Sequence, residues 1–578
     1  MNVSEMQGKL ARWSTEDSTK RFFDLMKLVA QEDWLLEAFY NVKRNKGSKT
    51  AGVDGLNIYR FEIDLDKQIC KLSESLLDGS FKPSPARRVY IPKKDGKRRP
   101  LGIPTVKDRI VQMAIKMALE PIWESDFLNS SHGFRPKRST MFAIRHISWA
   151  CTNKGKGYES YRWCIEGDFQ SYFDTVHHKV LMRELRKRIK DSKLLDLIWM
   201  FLKSGIMEEN LFKKSTEGVP QGGVLSPLLS NIYLHPLDKW MYDNYTEKNA
   251  GGIRRYHKNK GRANNYPVSY VRYADDFVVL VKGTKEEALH MRNTLSKFID
   301  TELKLTLNMD KTQVTHINDG IEFLGYRIIR KRQASGKMKV VLQIPREAVN
   351  RICEKINIRE SGHEDSTSTK IFAINKQVTG WCNYYKYATT VSSIFGKVET
   401  VAFWSLGHWL GRKYKSSISK LIRKYYKIYT VDGISRKTWI VNDYALKSAS
   451  FIKQKKFMTK TPTQNPYLVR HDTSPVMNED YVDTLTSIGN VWTGSEVPDR
   501  LGTHDLKWEV MKRDGYDCAR CKVNENDDEY LSFNFELHHK KQLKSCSGLS
   551  EYNSLDNLEL VCRTCHKILT KEQRKLVR

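Results

Sequence analysis

The residues best placed to do chemistry are two adjacent aspartates, Asp275 and Asp276, in the tetrapeptide YADD at 273–276. Two apolar, β-rich runs flank them, VSYVR at 268–272 and FVVLV at 277–281, and this pattern predicts a β-hairpin with both carboxylates at its turn. Neighbouring carboxylates repel each other unless cations share them, so the turn predicts a divalent metal site. For the tetrapeptide alone, an ordinary Asp-rich turn is the more frequent explanation.

A third acid upstream favours the metal site. Asp168, in CIEGDFQSYFD at 164–174, ends a short apolar strand and begins a turn. Three carboxylates from two strands are what a two-metal phosphoryl-transfer site requires, where one ion activates a 3′-hydroxyl and the other neutralises the leaving pyrophosphate. We therefore predict that Asp168, Asp275 and Asp276 are catalytic Mg²⁺ ligands of a nucleic-acid polymerase.

Composition supports this prediction. The chain has 578 residues, and its 98 Lys and Arg against 67 Asp and Glu give a net charge of +31. Such an excess predicts a polyanionic partner, usually nucleic acid. A basic membrane-surface protein is the competing class, but no stretch approaches the apolar length that spans a bilayer, so no membrane partner is expected. The N-terminus lacks the basic start and apolar segment of a signal peptide.

The ten cysteines fall into two groups. Four form two close pairs near the C-terminus, and the other six are scattered along the chain. This usage is typical of a reducing intracellular compartment rather than of a disulfide framework.

Further blocks surround the three aspartates in a definite order. They are NKGSKTAGVDG at 45–55, VYIPKKDGKRRPLGIPTVKDR at 89–109, HGFRPKRS at 132–139, EGVPQGGVLSPLLSN at 217–231, LKLTLNMDKT at 303–312 and EFLGY at 322–326. Their order and spacing resemble the reverse-transcriptase blocks of group II intron-encoded reverse transcriptase/maturases. The resemblance spans about residues 45–450.

The resemblance implies a multidomain α/β (α+β) fold with the fingers and palm of a right-hand polymerase. It places fingers and palm at 1–345, an all-α thumb (the maturase X domain) at 346–450, a DNA-binding or linker region at 451–505 and an HNH endonuclease at 506–578. The composition of 461–505 is polar and linker-like and does not itself indicate DNA binding. A Gly-rich basic stretch at 245–265 predicts either a mobile RNA-binding loop or a spacer.

Five residues are expected to contact the incoming nucleotide. The resemblance assigns Lys93 and Arg99 of a basic hairpin to the triphosphate and Gln221 to the nucleotide's side. It also assigns Phe173 to the sugar, where a ring selects deoxynucleotides, and Lys311 can reach the pyrophosphate as a general acid. Taken singly, the hairpin cations and Lys311 are typical of solvated surface, and Phe173 is typical of a core aromatic.

Positive charge concentrates after the palm. Residues 346–460 carry 22 Lys and Arg against 8 Asp and Glu, and 412–429 contains seven basic residues, four tyrosines and no acid. Interleaved rings and cations at helix-like spacing are typical of RNA binding. We therefore predict RNA contacts at Arg412, Lys413, Arg423 and Lys424. In the alternative interpretation, about half of these tyrosines are thumb core.

The last seventy residues predict a separate unit. The pairs Cys518/Cys521 and Cys562/Cys565 have the spacing of a structural Zn²⁺ site. A pure zinc ribbon leaves the nearby histidines without a role, whereas the combination resembles HNH nucleases, a ββα-metal fold. That resemblance implies His539 as general base, His538 and His566 as ligands of Mg²⁺ or another divalent ion, and Asn557 as a structural residue. A zinc module that only binds remains the alternative.

The resemblance implies a multifunctional enzyme: an RNA-directed DNA polymerase, a maturase assisting intron splicing, and a DNA endonuclease that nicks target DNA to prime reverse transcription in retrohoming. Its partners are then a group II intron RNA in a ribonucleoprotein, target DNA and dNTPs, and its compartment is the bacterial cytoplasm, at the nucleoid when on DNA, or an organelle. The alternatives are an RNA-binding splicing cofactor with little polymerase activity, or another class of bacterial reverse transcriptase.

Overall fold

The computed structural model divides the chain into two compact units, Met1–Val491 and Trp492–Arg578. In the first unit it describes residues 2–92, 98–152, 160–208, 211–213, 217–218, 222–246, 267–333, 336–362, 366–431, 433–459 and 461–468. In the second unit it describes residues 510, 513, 519–520, 535–540, 554–562 and 565.

The helices of the first unit are numbered in chain order. They are α1 (Val3–Glu16), α2 (Leu25–Val29), α3 (Glu32–Arg44), α4 (Ile58–Glu62), α5 (Leu65–Leu77), α6 (Val106–Trp123), α7 (Thr140–Cys151), α8 (Tyr172–Thr175), α9 (His178–Arg186), α10 (Ser192–Lys203), α11 (Ser226–Tyr245), α12 (Lys285–Phe298), α13 (Arg346–Lys355), α14 (Thr367–Tyr385), α15 (Ser392–Lys413) and α16 (Ile418–Tyr425). In the described part of the chain, no helix is both long and apolar enough to cross a bilayer.

The strands are numbered in the same way. They are β1 (Ala86–Pro92), β2 (Arg98–Ile103), β3 (Trp163–Gly167), β4 (Ile206–Glu208), β5 (Leu211–Lys213), β6 (Val268–Tyr273), β7 (Asp276–Val281), β8 (Val314–His316), β9 (Ile321–Phe323), β10 (Tyr326–Arg332), β11 (Met338–Gln343), β12 (Tyr426–Val431), β13 (Ile434–Val441), β14 (Tyr444–Ala445), β15 (Phe535–His539) and β16 (Leu558–Cys562). The mixture of helices and strands agrees with the predicted α/β class.

A four-stranded antiparallel sheet, the central sheet, has the strand order β6-β7-β3-β8. Strand β7 is buried on both faces because its side chains alternate between two cores: Phe277 and Val279 enter one, and Val278 and Leu280 enter the other. This explains why the run after the aspartates is continuously apolar instead of alternating. The central sheet is thus rigid from both sides.

A second sheet has the strand order β2-β1-β4-β5. Helices α1–α5 precede it in the sequence, and α6 follows β2. Helix α6 begins where the Thr105 side chain accepts from the Asp108 backbone N–H at 3.2 Å, an N-cap that satisfies one of the helix's free donors. Trp34 of α3 is fully buried and donates to the Ala114 carbonyl of α6 at 2.9 Å. Helices α3 and α6 are thereby packed against each other, and α6 begins shortly after β2 ends.

The thumb, residues 346–450, is not all-α, and that prediction is wrong. After α13–α16 the chain forms an antiparallel sheet of order β12-β13-β14. In the stretch YKIYTV at 426–431, every residue except Lys427 is aromatic or β-branched, a composition that favours a strand, and Gly433 turns the chain with φ of +75°. The sheet packs on α15 through the fully buried Trp439, which stacks on Phe403 at 5.1 Å.

After the thumb, residues 453–459 and 461–468 pack back against earlier helices of the first unit, and we call these residues the strap. Phe457 contacts the rings of Phe142 on α7 and Tyr387. Farther along, the Asn465 amide donates to the Pro121 carbonyl at 2.8 Å and the Tyr467 hydroxyl donates to Glu120 at 2.5 Å, both on α6. Residues 461–468, whose composition predicts a linker, are therefore packed against the fingers.

In the second unit, β15 and β16 form an antiparallel pair in which His538 faces Glu559 and Phe535 faces Cys562. Leu558, Leu560 and Val561 are fully buried, so this pair carries a small core. A short 3₁₀ turn, Leu555–Asn557, leads directly into β16.

Candidate active site

The two aspartates lie at the predicted hairpin turn. Strands β6 and β7 pair to their ends, with Tyr273 opposite Asp276, and Ala274 and Asp275 form the connection. Ala274 has φ of +57°, a left-handed conformation uncommon for a residue with a side chain. Asp275 is half-buried and Asp276 is exposed at the edge of the central sheet. The hairpin prediction is confirmed.

Asp168 lies at the same edge. It directly follows β3, which pairs with β7 so that Gly167 faces Phe277. One step further, this register places Asp168 opposite Asp276. Gly167 has no room for a side chain, because a Cβ there would lie 2.0 Å from the Phe277 ring. The aromatic ring therefore fills the space beneath this edge of the central sheet. We call the edge that carries Asp168, Asp275 and Asp276 the acidic edge.

Lys311 is close to Asp168. Its Nζ lies 3.0 Å from the Asp168 carboxylate, and the Asn308 backbone N–H donates to the Asp168 carbonyl at 2.8 Å. The lysine thus supplies a positive charge to the acidic edge. Among the residues that the structure describes, no three His, Cys, Asp or Glu side chains stand close enough together to hold one ion.

A buried ion pair lies behind the turn. Arg272 and Asp238 have fully buried side chains, and two guanidinium nitrogens donate to the two carboxylate oxygens at 2.7 and 2.5 Å. The Tyr270 hydroxyl also donates to Asp238, at 3.0 Å. Burial alone would lower the pKa of Arg272, but the adjacent carboxylate raises this pKa above its ordinary value. Arg272 therefore stays charged.

Sequence reasoning did not identify this pair. The signal that could have found it is Arg272 itself, a charge inside a run predicted to be a buried strand. A charge of that kind requires a buried partner of opposite sign. Asp238, a buried acid of α11, is that partner.

The loop before α11 approaches Phe173 closely. Gly218 has φ of +91°, and a Cβ on it would lie 2.8 Å from the Phe173 carbonyl oxygen. His178 is hydrogen-bonded to the Gly218 carbonyl at 2.7 Å, and burial lowers the pKa of His178. Phe173 is half-buried beside Tyr172. Gln221 lies outside the described residues.

The basic hairpin is also present. Strands β1 and β2 pair from Arg87 with Ile103 to Pro92 with Arg98, and Arg99 is paired with Ile91. Lys93 lies outside the described residues. Gly222, in the loop before α11, lies against β2: a Cβ on Gly222 would be 2.5 Å from the Gly102 carbonyl oxygen. This loop therefore contacts the hairpin.

The four predicted RNA-contacting cations occupy two helix ends. Arg412 and Lys413 lie in the last turn of α15, and Arg423 and Lys424 lie in the last turn of α16. Tyr414 is exposed, and its ring stacks with that of Tyr425 at 6.1 Å. The three tyrosines Tyr425, Tyr426 and Tyr429 are half-buried, so none of the four is enclosed in the core.

The histidine and asparagine of the second unit lie close together. His538 and Asn557 are buried, and the Lys540 backbone N–H donates to the Asn557 carbonyl at 2.8 Å. His539 ends β15 opposite Leu558, which directly follows Asn557. The predicted ligand His566 lies outside the described residues.

A backbone hydrogen bond also joins the two parts of the chain that carry the cysteine pairs. The Ala519 backbone N–H donates to the Leu560 carbonyl at 2.8 Å, and Leu560 lies two residues before Cys562. Cys565 is half-buried. The predicted ligands Cys518 and Cys521 lie outside the described residues, but Ala519 between them is anchored to β16.

Two family models match the first unit. One, described as reverse transcriptase (RNA-dependent DNA polymerase), covers residues 91–328 and therefore the whole acidic edge. The other, described as group II intron, maturase-specific domain, covers residues 349–426 of the thumb.

Several known proteins are similar to this chain. The group II intron-encoded protein LtrA of Lactococcus lactis subsp. cremoris is 31% identical, with 97% of each chain covered. Protein YkfC of Escherichia coli K12 is 48% identical across 60% of this chain and 93% of the relative. The putative COX1/OXI3 intron 2 protein of Saccharomyces cerevisiae is 29% identical across 73% of this chain and 56% of the relative.

The similarity to LtrA runs through nearly the full length of both chains, and the two family models fall on the fingers-palm and thumb regions. The acidic edge lies within the polymerase match, and the basic helix ends lie within the maturase match. The predicted reverse transcriptase with an RNA-binding maturase domain is thereby confirmed. The chain belongs to the family of group II intron-encoded reverse transcriptase/maturases.

Proposed function

We propose that Asp168, Asp275 and Asp276 are the Mg²⁺ ligands at which this reverse transcriptase copies RNA into DNA. The observation that supports the proposal is the β3–β7 register: its last pair joins Gly167, which directly precedes Asp168, to Phe277, which directly follows Asp276. When bound there, Mg²⁺ would stabilise the negative charge that develops on the attacking and leaving oxygens. Carboxylate oxygens are the protein ligands that this ion prefers.

The charges at the edge fit such an ion. Asp168 is partly exposed, with 40% of its side chain accessible, and its carboxylate forms an ion pair with the Nζ of Lys311. The lysine is 69% exposed and free to turn toward a phosphate. In this proposal Lys311 leaves Asp168 when substrate binds and donates a proton to the leaving pyrophosphate.

The remaining nucleotide contacts follow from neighbouring elements. Phe173 lies five residues after Asp168 and next to the Gly218 backbone, a place where its ring would exclude a 2′-hydroxyl. Gln221 would line the nucleotide from the same loop as Gly218, and Lys93 and Arg99 would neutralise its triphosphate. The substrates in this proposal are dNTPs.

We expect Asp168→Asn and Asp275→Asn to abolish extension of oligo(dT) on poly(rA) and to leave RNA affinity nearly intact. The reason is that the amide cannot replace a carboxylate as a metal ligand, whereas RNA affinity comes from Lys and Arg elsewhere. Asp196→Asn, an exposed acid of α10, is the matched control and should extend primers normally. Extension by both active-site variants would show that these carboxylates are not the ligands.

We further propose that the second unit is an HNH endonuclease with a structural Zn²⁺. The observation in favour is that β15 and the turn before β16 bring the His538–His539 pair next to Asn557. His539 would take a proton from water, and His538 and His566 would hold the divalent ion that lowers the pKa of that water. Asn557 would keep the two segments in register.

The four cysteines fit a structural Zn²⁺ in chemistry and in chain path. The Ala519–Leu560 hydrogen bond holds the first pair's segment beside the strand that ends at Cys562. Thiolates spaced in two such pairs are the usual ligands of tetrahedral Zn²⁺, whose binding supplies folding energy to a small unit. Nicked target DNA would then supply the 3′-hydroxyl that primes reverse transcription during retrohoming.

His539→Ala should eliminate nicking of a plasmid that carries the intron's ligated flanking sequences, with reverse transcription unchanged. Cys518→Ser should also stop nicking, but through unfolding of the second unit. Zinc content and protease resistance separate the two effects: His539→Ala keeps both, and Cys518→Ser loses both. If His539→Ala nicks at the parental rate, the unit is a DNA-binding module.

A further inference from the structure

The hairpin turn that carries Asp275 is held from behind by residues of three separate blocks of sequence. Arg272 donates to Asp238 through two nitrogens, to the Asn231 side chain at 2.9 Å and to the Ala274 carbonyl at 2.8 Å. Its guanidinium thus joins α11 to the turn residue that precedes Asp275. We call Arg272, Asp238 and Asn231 the turn clamp.

The clamp also includes backbone contacts. The Asn231 amide donates to the Gly133 carbonyl at 2.9 Å, and Arg272 exchanges backbone hydrogen bonds with Ser130 and His132 at 2.8 and 2.9 Å. A Cβ on Gly133 would lie 2.1 Å from the Ala274 nitrogen. Ala274 is therefore enclosed between the Gly133 backbone and the Arg272 guanidinium.

This enclosure opposes a local strain. Ala274 has φ of +57°, a conformation that costs free energy for a residue with a Cβ and persists only where its surroundings enforce it. The hydrogen bond from Arg272 to the Ala274 carbonyl fixes the peptide group that leads into Asp275. Without it, the turn would relax and the carboxylate would move.

We propose that Arg272, Asp238 and Asn231 are positioning residues that set the place of Asp275 and Asp276 and thereby the Mg²⁺ requirement of polymerisation. This inference rests on the proposed metal-ligand role of the two aspartates. The clamp residues are buried, so they act through the turn and not by direct contact with substrate or metal. A fork of donors is required, because one ammonium group cannot reach Asp238, Asn231 and the Ala274 carbonyl together.

The test compares Arg272→Lys and Asn231→Ala with the wild-type protein. Both variants should need several-fold more Mg²⁺ for half-maximal nucleotide addition, and Arg272→Lys should lower the maximal rate about 10- to 100-fold, as expected for a small misplacement of reacting groups. They should need the same excess of Mg²⁺ to form a stable complex with a dNTP on a dideoxy-terminated primer, a binding readout independent of turnover. Affinity for labelled RNA should not change.

Arg330→Lys is the matched control. Arg330 is a buried arginine of β10 whose guanidinium donates to Asn318 at 2.9 Å and Ser160 at 2.5 Å, so the substitution removes a similar fork in the same unit. It should lower the melting temperature and leave the Mg²⁺ requirement unchanged. If the clamp variants change only the melting temperature, as Arg330→Lys does, the clamp is merely structural and the proposal is wrong.

Two further outcomes are decisive. If Arg272→Lys does not fold, Asn231→Ala decides alone, since it leaves the Arg272–Asp238 ion pair in place; a wild-type Mg²⁺ requirement then overturns the proposal. If Asp275→Asn still extends primers, the metal-ligand assignment itself fails. An inactive Asp275→Asn together with clamp variants of normal Mg²⁺ requirement rejects the clamp alone.

Discussion

At the scale of single residues, two glycines determine how closely the polymerase blocks approach one another. Gly167 lies against the Phe277 ring beside Asp168, and Gly133 lies against the backbone of the hairpin turn. In both places the space for a Cβ is already filled, so the reason for glycine is steric contact rather than backbone flexibility. The acidic edge thus depends on residues that carry no functional group.

Gly133→Ala should abolish or strongly reduce primer extension, because its Cβ would force the Ala274 backbone to shift and displace Asp275. Primer extension and circular dichroism together measure the effect. Gly380→Ala, within α14 where a Cβ meets no atom within 4 Å, is the control. It should keep activity and stabilise the helix by about 0.5–1 kcal/mol. Normal extension by Gly133→Ala would contradict the close approach.

At the scale of elements, the basic end of the thumb is a helix pair followed by a hairpin. Helix α15 ends with Arg412 and Lys413, and helix α16 ends with Arg423 and Lys424. Their positive charges interact favourably with the negative C-terminal ends of the two helix dipoles. Strand β12 then extends outward, with Ile428 64% exposed. The exposed Tyr414, the four cations and strand β12 follow one another along the chain, and we predict that this stretch contacts RNA.

Replacing Arg412, Lys413, Arg423 and Lys424 with glutamine should lower RNA affinity and the salt dependence of that affinity. Each phosphate that is no longer neutralised should reduce the slope of log K against log salt by roughly one. A control with the same change in net charge replaces exposed lysines of α5, α10 and α12, namely Lys67, Lys71, Lys193 and Lys297. Equal slopes for the two variants would place the RNA elsewhere.

The sequence predicted the elements whose pattern is local. The β6–β7 hairpin follows from residues next to one another, and so does the pairing of β1 with β2. The strand β12 was missed because tyrosines and lysines at 412–429 also match a helical period, and only packing of Trp439 on α15 decides the outcome. The pairing of Arg272 with Asp238 joins distant blocks, which no local pattern contains.

At the scale of the whole first unit, the strap connects its end to its beginning. Asn465 is buried and donates to both Pro121 and Ser125, and the Tyr467 carbonyl lies 3.4 Å from where a Cβ on Gly8 of α1 would be. Arg138 and Arg145 donate to strap carbonyls on the way. The thumb is therefore attached at both of its ends, by β11 before it and by the strap after it.

Asn465→Ala should destabilise the first unit by about 1–3 kcal/mol, because it leaves the buried Pro121 carbonyl without its donor. Denaturant unfolding measures this destabilisation, and hydrogen exchange should quicken in α1 and the strap. Asn244→Ala, which removes an exposed amide at the end of α11, should change neither. Unchanged exchange in α1 of Asn465→Ala would mean that the strap does not support the helix.

The strap has a consequence for the order in which the protein is made. Helices α1 and α6 leave the ribosome early, whereas the residues that cover them, Asn465 and Tyr467, are among the last of the unit to be synthesised. Domains generally fold as units during synthesis, the N-terminal ones first. The surface of α1 and α6 that the strap covers therefore stays exposed until synthesis has passed the thumb. A chain truncated within the thumb would leave this surface exposed to chaperones and proteases.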